Sequence, residues 1–323
     1  MQVESRSEHF ELDKQYICPN KISNKLDQCI TNIAKNNGFV KYDIEKKEFC
    51  TNGGSYLGLL YEINIYGDTK EGEKELNIFV KSILPGENDL QILSVHDVYE
   101  NETFAYNVLF KMFDEVQEEA NVPIKERYKT VKSYEESDAE IIIMENVAKK
   151  GFKTGHRMDV VSLEFAKTAI EELAKFHALS FVLKDGEISE LIPVDYQMMY
   201  YGCPVVDFLY CIMCCTDKEF RKNYLVHLKN VYHEAMARFL KHFDLDINEL
   251  YSRELFEKDY DARLESGLVM SFIFLPFVLA AEDDVPDLTK DDRDMNNLSF
   301  NVDKRYKSRI QGIIEDYIEW GII

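Results

Sequence analysis

The chain has 323 residues, 46% of them hydrophobic and 30% charged, the balance of an ordinary globular protein with length enough for a large core. Its formal net charge of −21 excludes extended contact with a nucleic-acid backbone, while leaving room for a local basic pocket that takes a nucleotide. The start, Met1 to Glu8, is polar and acidic without an apolar signal core, and seven scattered cysteines fit a reducing compartment, so the chain reads as cytoplasmic.

Residues 1–36 read as a tail followed by one helix, with Ile22, Leu26, Ile30 and Ile33 at helical spacing and Asn36-Asn37-Gly38 as its stop. From Phe39 to Ile83 the period changes to two, through Tyr42 and Ile44, then Tyr61, Ile63 and Ile65, then Leu76, Ile78 and Val80. With the turn Gly67 to Gly72, this predicts about three antiparallel strands. Asp97 to Glu118 is helical again, and Tyr128 to Val131 and Ala139 to Met144 read as two more strands. Beyond Glu145 the pattern is helical: Ser162 to Leu183, Lys218 to His242, Asp259 to Leu279 and Lys304 to Trp320. The run Gly267 to Ala281 is too short for a comfortable membrane span and contains Pro276, so it reads as a buried helix with a kink or break. The order predicts an α+β body: a small lobe over residues 37–146 and a helical large lobe over 147–323.

Four features of the small lobe are spaced like parts of a nucleotide clamp. Gly53, Gly54 and Ser55 lie between two strands, where glycines permit backbone approach to a phosphate, although a plain hairpin turn carries the same residues. Lys81 ends a strand, where its ammonium could reach α- and β-phosphates, and Glu102 on the next helix could hold it. Met144, Glu145 and Asn146 leave a buried strand as a hinge whose exposed backbone could meet an adenine edge.

These parts, taken in order, resemble the insect ecdysteroid-kinase-like family, relatives of the choline and aminoglycoside phosphotransferases. The likeness runs through Phe79-Val80-Lys81, Tyr99 to Tyr106, Ile143 to Asn146 with Gly151-Phe152, Leu173 to Ser180, Val194-Asp195-Tyr196-Gln197 and Tyr201 to Asp207. The resemblance implies a protein-kinase-like bilobal fold and the cofactors ATP and Mg²⁺. Lys81 would position phosphates, Glu102 would anchor Lys81, residues 143–147 would form the adenine hinge, Asp195 would hold Mg²⁺, and Asp207 would start and brace the following helix. The implied activity is ATP-dependent transfer of phosphate to the hydroxyl of a small lipophilic, ecdysteroid-like alcohol, with no nucleic-acid or membrane partner.

One departure qualifies that activity. Members carry a His-Gly-Asp-Leu-Trp…Asn loop, supplying the catalytic base and a second metal ligand, before an Asp-Phe-Gln strand. Here Lys184 to Ile192 joins the preceding helix directly to Val194-Asp195-Tyr196, so a contiguous block is missing and no catalytic residue is assigned. The alternative is therefore an inactive or truncated member that binds nucleotide or a small ligand without transfer. Asp185 and Glu187 are the nearest acids, but they sit at an expected hairpin tip and make poor replacement bases. His177 reads as a packed, hydrogen-bonded histidine, and Cys211, Cys214 and Cys215 as buried small hydrophobes rather than metal ligands. His227 and His233 do not share a helix face, and the acids from Glu282 to Asp292 lack calcium-loop spacing.

Overall fold

A computed structural model describes residues 24–49, 58–83, 95–183, 191–192, 196, 199–285 and 299–323. Helix α1 (Asn24–Asn36) buries Leu26, Ile30 and Ile33 and ends at Gly38, whose φ of +82° suits a residue without a side chain. Strands β1 (Phe39–Phe49), β2 (Leu59–Thr69), β3 (Gly72–Ser82) and β4 (Ile141–Glu145) form one antiparallel sheet in that order. Gly67 is fixed by space: a Cβ there would lie 2.1 Å from the Lys41 carbonyl oxygen, beside the register shift between Phe39 and Lys41.

Strand alternation divides the sheet into two faces. Ile63, Ile65, Ile78, Val80 and Ile143 turn toward α1 and close a small core. Phe79, Lys81, Ile142 and Met144 turn the other way, toward the helical run made of α2 (Val95–Phe104), a π-helical turn (Ala105–Leu109) and α3 (Phe110–Glu119). Lys81 is thus not at a free strand end. It lies one residue inside β3, between β2 and β4.

The strand expected at Tyr128 to Val131 is not formed. The amide of Gln117 takes the ladder groups of Tyr128 instead: Oε1 accepts from the Tyr128 N–H at 2.7 Å, and Nε2 donates to its carbonyl at 3.4 Å. With those groups spent, only an isolated bridge between Ser133 and Met144 reaches the sheet.

The large lobe is helical: α4 (Leu163–Val182), α5 (Val205–Cys215), α6 (Lys218–Leu240), α7 (Ile247–Leu250), α8 (Arg253–Val278) and α9 (Arg305–Glu319). A two-residue ladder, β5 (Leu191–Ile192) with β6 (Tyr200–Tyr201), precedes α5. Ser162 caps α4, Asp217 caps α6 and Ser252 caps α8, each accepting from a backbone N–H three residues on. The last cap sets α8 six residues earlier than its apolar pattern suggested.

Helix α8 is not wholly buried and does not break at Pro276, which falls in its last turn. Phe256, Leu264, Leu275 and Gly267 face the core, while Val269, Phe272 and Ile273 remain about half exposed. Among the described residues no helix is long and apolar enough to cross a membrane.

Candidate nucleotide-binding site

The parity that sends Lys81 to the face opposite α1 delivers its ammonium to α2. There Nζ lies 2.6 Å from Oε1 of Glu102, a carboxylate only 1% exposed. The lysine side chain keeps 25% of its exposure. A buried carboxylate is costly without a partner, so Glu102 fixes the lysine stem while the ammonium still has donors to turn outward. A cation held at the end of its reach and open on one side can neutralise phosphate charge without reorganising.

Gly58 closes the stretch between β1 and β2 that holds the expected phosphate loop. A Cβ at this position would sit 2.2 Å from the Tyr99 hydroxyl and 2.5 Å from the Ser82 carbonyl, so α2 and β3 both press on the backbone here. Burial of Tyr99, helped by the Glu102 charge, holds its phenol well above the usual value and keeps it neutral. Gly53, Gly54 and Ser55 lie outside the described residues.

The hinge residues are placed where the sequence put them but with fewer free groups. Met144 pairs with Phe79 and is buried. The N–H of Glu145 donates to the Lys132 carbonyl at 2.9 Å, and that of Asn146 to the Asn77 carbonyl at 3.0 Å. Asn146 then caps a 3₁₀ turn (Val147–Lys150) by accepting from the Ala148 N–H at 3.2 Å, and the Glu145 carboxylate pairs with Lys150 at 2.5 Å. The backbone donors of residues 145 and 146, expected to be exposed, are engaged because β4 is covered on both edges.

Asp195 lies outside the described residues, as do Asp185 and Glu187. Its neighbour Tyr196 is described and packs among the rings of Tyr106, Phe110 and Phe176. Among the described residues no group of three histidines, cysteines or acids is placed to hold a metal ion.

The second acid of the motif, Asp207, sits in the first turn of α5 and is 4% exposed. Its Oδ2 is 3.1 Å from Nε2 of His177, and Nδ1 of that ring is 2.7 Å from the Tyr232 hydroxyl. His177 is 1% exposed and Tyr232 fully enclosed, so this is a packed polar chain joining α4, α5 and α6. Burial raises the Asp207 carboxyl above its usual value, and the His177 contact partly offsets that. The other oxygen, Oδ1, is buried with no hydrogen-bond partner.

Tyr232 and Gln117 were not singled out by sequence. A tyrosine and a glutamine inside amphipathic helices carry no local signal for a contact 55 or 11 residues away. Cys214 is buried, Cys211 and Cys215 are partly so, and all the described cysteines are free.

A four-stranded antiparallel sheet with one helical run, a lysine–glutamate pair across them and a helical second lobe define a kinase-like α+β body. Two stretches, residues 52–188 and 184–245, match the family model described as the ecdysteroid kinase-like family. They cover more than half of the chain, which belongs to that family. The two stretches meet at residues 184–188, where the sequence passes from the α4 end toward Asp195. No curated protein matches the chain.

Proposed function

We propose that the chain binds ATP through a kinase-like clamp and, in this form, does not transfer its phosphate. The observation that carries the binding reading is the buried Glu102 paired with a partly open Lys81 at 2.6 Å. Lys81 would meet the α- and β-phosphates, the segment from Met144 to Asn146 would border the adenine, and Asp195 would take Mg²⁺, as the resemblance implies. The metal, when bound, would offset phosphate charge.

Transfer to an alcohol also needs a base within reach of the hydroxyl proton and a residue to steady the second metal site. No His-Gly-Asp sequence occurs anywhere in the chain, and the two matched stretches adjoin where relatives carry that loop. General-base assistance is worth about 10² to 10⁴ in rate, so its loss together with a metal ligand leaves little turnover. His177 does not fill the gap, because both its ring nitrogens are occupied in the large-lobe core.

The second reading is an active phosphotransferase toward a small lipophilic alcohol of the ecdysteroid type, and family membership favours it. Melting curves with and without MgATP test the clamp: ATP should raise the midpoint, and Lys81→Ala should abolish the rise. Label passing from γ-labelled ATP to an ecdysteroid would overturn the non-transferring reading. Sequencing the native transcript across Leu183 to Gly186 shows whether a longer form encodes the loop.

A further inference from the structure

Six rings meet where the small-lobe helical run touches the large lobe: Tyr106, Phe110, Phe113, Tyr128, Phe176 and Tyr196. The Tyr196 ring lies 4.9 Å from Phe110, 5.8 Å from Tyr106 and 6.4 Å from Phe176, centroid to centroid. A phenylalanine would fill such a cage, and the family strand resembled here reads Asp-Phe-Gln where this chain has Asp195-Tyr196-Gln197. The added hydroxyl must find a partner or cost free energy in these surroundings. It finds the Tyr128 hydroxyl at 2.8 Å.

Tyr128 is itself held at the backbone. The Gln117 amide grips its N–H and its carbonyl, and Gln117 is fully buried on the helical run that also carries Glu102. A continuous path therefore leads from Lys81 through Glu102, along the run to Gln117, across to Tyr128 and on to Tyr196. Burial, followed by the nearness of Tyr196, keeps the Tyr128 phenol well above its usual value, so both groups are neutral hydroxyls sharing one hydrogen bond.

We infer that the Tyr128–Tyr196 hydroxyl pair is a positioning latch, tying the residue that follows the expected Mg²⁺ ligand to the helix run that carries the lysine anchor. The inference rests on the nucleotide-binding reading and deepens it. Neither tyrosine is assigned a contact with nucleotide; the pair sets the relation between the phosphate half and the metal half of the clamp.

The test is ATP affinity of the full chain by calorimetry, with and without Mg²⁺, in the wild type, Tyr128→Phe, Tyr196→Phe and the double variant. Each single change keeps its ring, and Tyr196→Phe restores the family residue, so folding is preserved; urea midpoints verify it. The gain in affinity that Mg²⁺ confers should fall about five- to tenfold in either single variant, the scale of one net hydrogen bond. Metal-free affinity should hold, and the double variant should lose no more than either single.

A Mg²⁺ gain unchanged in both singles overturns the latch and leaves the nucleotide reading intact. Equal losses with and without metal, or losses that add in the double variant, overturn it too, since they mark general loosening. A wild-type chain that binds no ATP overturns the nucleotide reading and the latch's role with it.

Discussion

Glu102 in the small lobe and Asp207 in the large lobe are buried almost equally, at 1% and 4% exposure, yet their surroundings differ in kind. Glu102 faces a lysine whose own side chain is a quarter exposed, so its partner remains open to a third party. Asp207 faces a histidine that is 1% exposed and is bound on its far side by Tyr232. The first pair can be completed by a ligand. The second is closed, and its energy goes into holding α4, α5 and α6 together.

That contrast is broken or sharpened by pairing stability with ATP response. His177→Ala should cost the most stability, about 3–5 kcal/mol in urea unfolding, because it strands an acid and a phenol in the core. Glu102→Gln keeps the size and one hydrogen bond, so it should cost only about 1–2 kcal/mol while removing most of the ATP-induced rise in melting temperature. A Glu102→Gln protein as unstable as His177→Ala with its ATP response intact would erase the distinction between the lobes. Ser162→Ala removes the cap of the helix that carries His177; a loss of about 1 kcal/mol is expected, with ATP binding unaltered.

The smallest effect is one of pH. The folded Asp207 carboxyl holds its proton more tightly than an unfolded aspartate, whose ordinary value is 3.8. The stability this contributes is full below 3.8 and is lost as pH rises through the raised folded value. Asp207→Asn has no such proton to lose, so its stability relative to wild type should climb between about pH 4 and pH 7 in urea titrations. A flat difference over that range would mean the carboxyl is not raised.

Strand alternation through Tyr61, Ile63 and Ile65 and through Ile78 and Val80 made the sheet legible, and it also placed Lys81 opposite α1. The helices of the large lobe were legible for the same reason, within a few residues of their caps. What escaped were side chains that replace backbone bonding. Tyr128 to Val131 has the composition of a strand, but Gln117, eleven residues upstream, takes its ladder groups. The hinge donors at 145 and 146 likewise looked free, because no local pattern tells that Lys132 and Asn77 will accept from them. Lys81 and Glu102 were named separately from sequence, and the structure brings them together; their distance depends on how the α2 run crosses the sheet, which local spacing does not encode.

The π-helical turn at Ala105–Leu109 gives that run an unusual sensitivity. It holds one more residue than an α-helix of the same rise, and so acts as a phase adjuster between Glu102 on one side and Phe110, Phe113 and Gln117 on the other. Substitutions on its outer surface, such as the exposed Val108, leave that phase alone. Deleting a single residue there would rewind everything downstream by about 100°. The aromatic cage and the Gln117 grip would swing off their targets while the Lys81–Glu102 contact stayed put. The number of residues in this turn is therefore under tighter physical constraint than their identity.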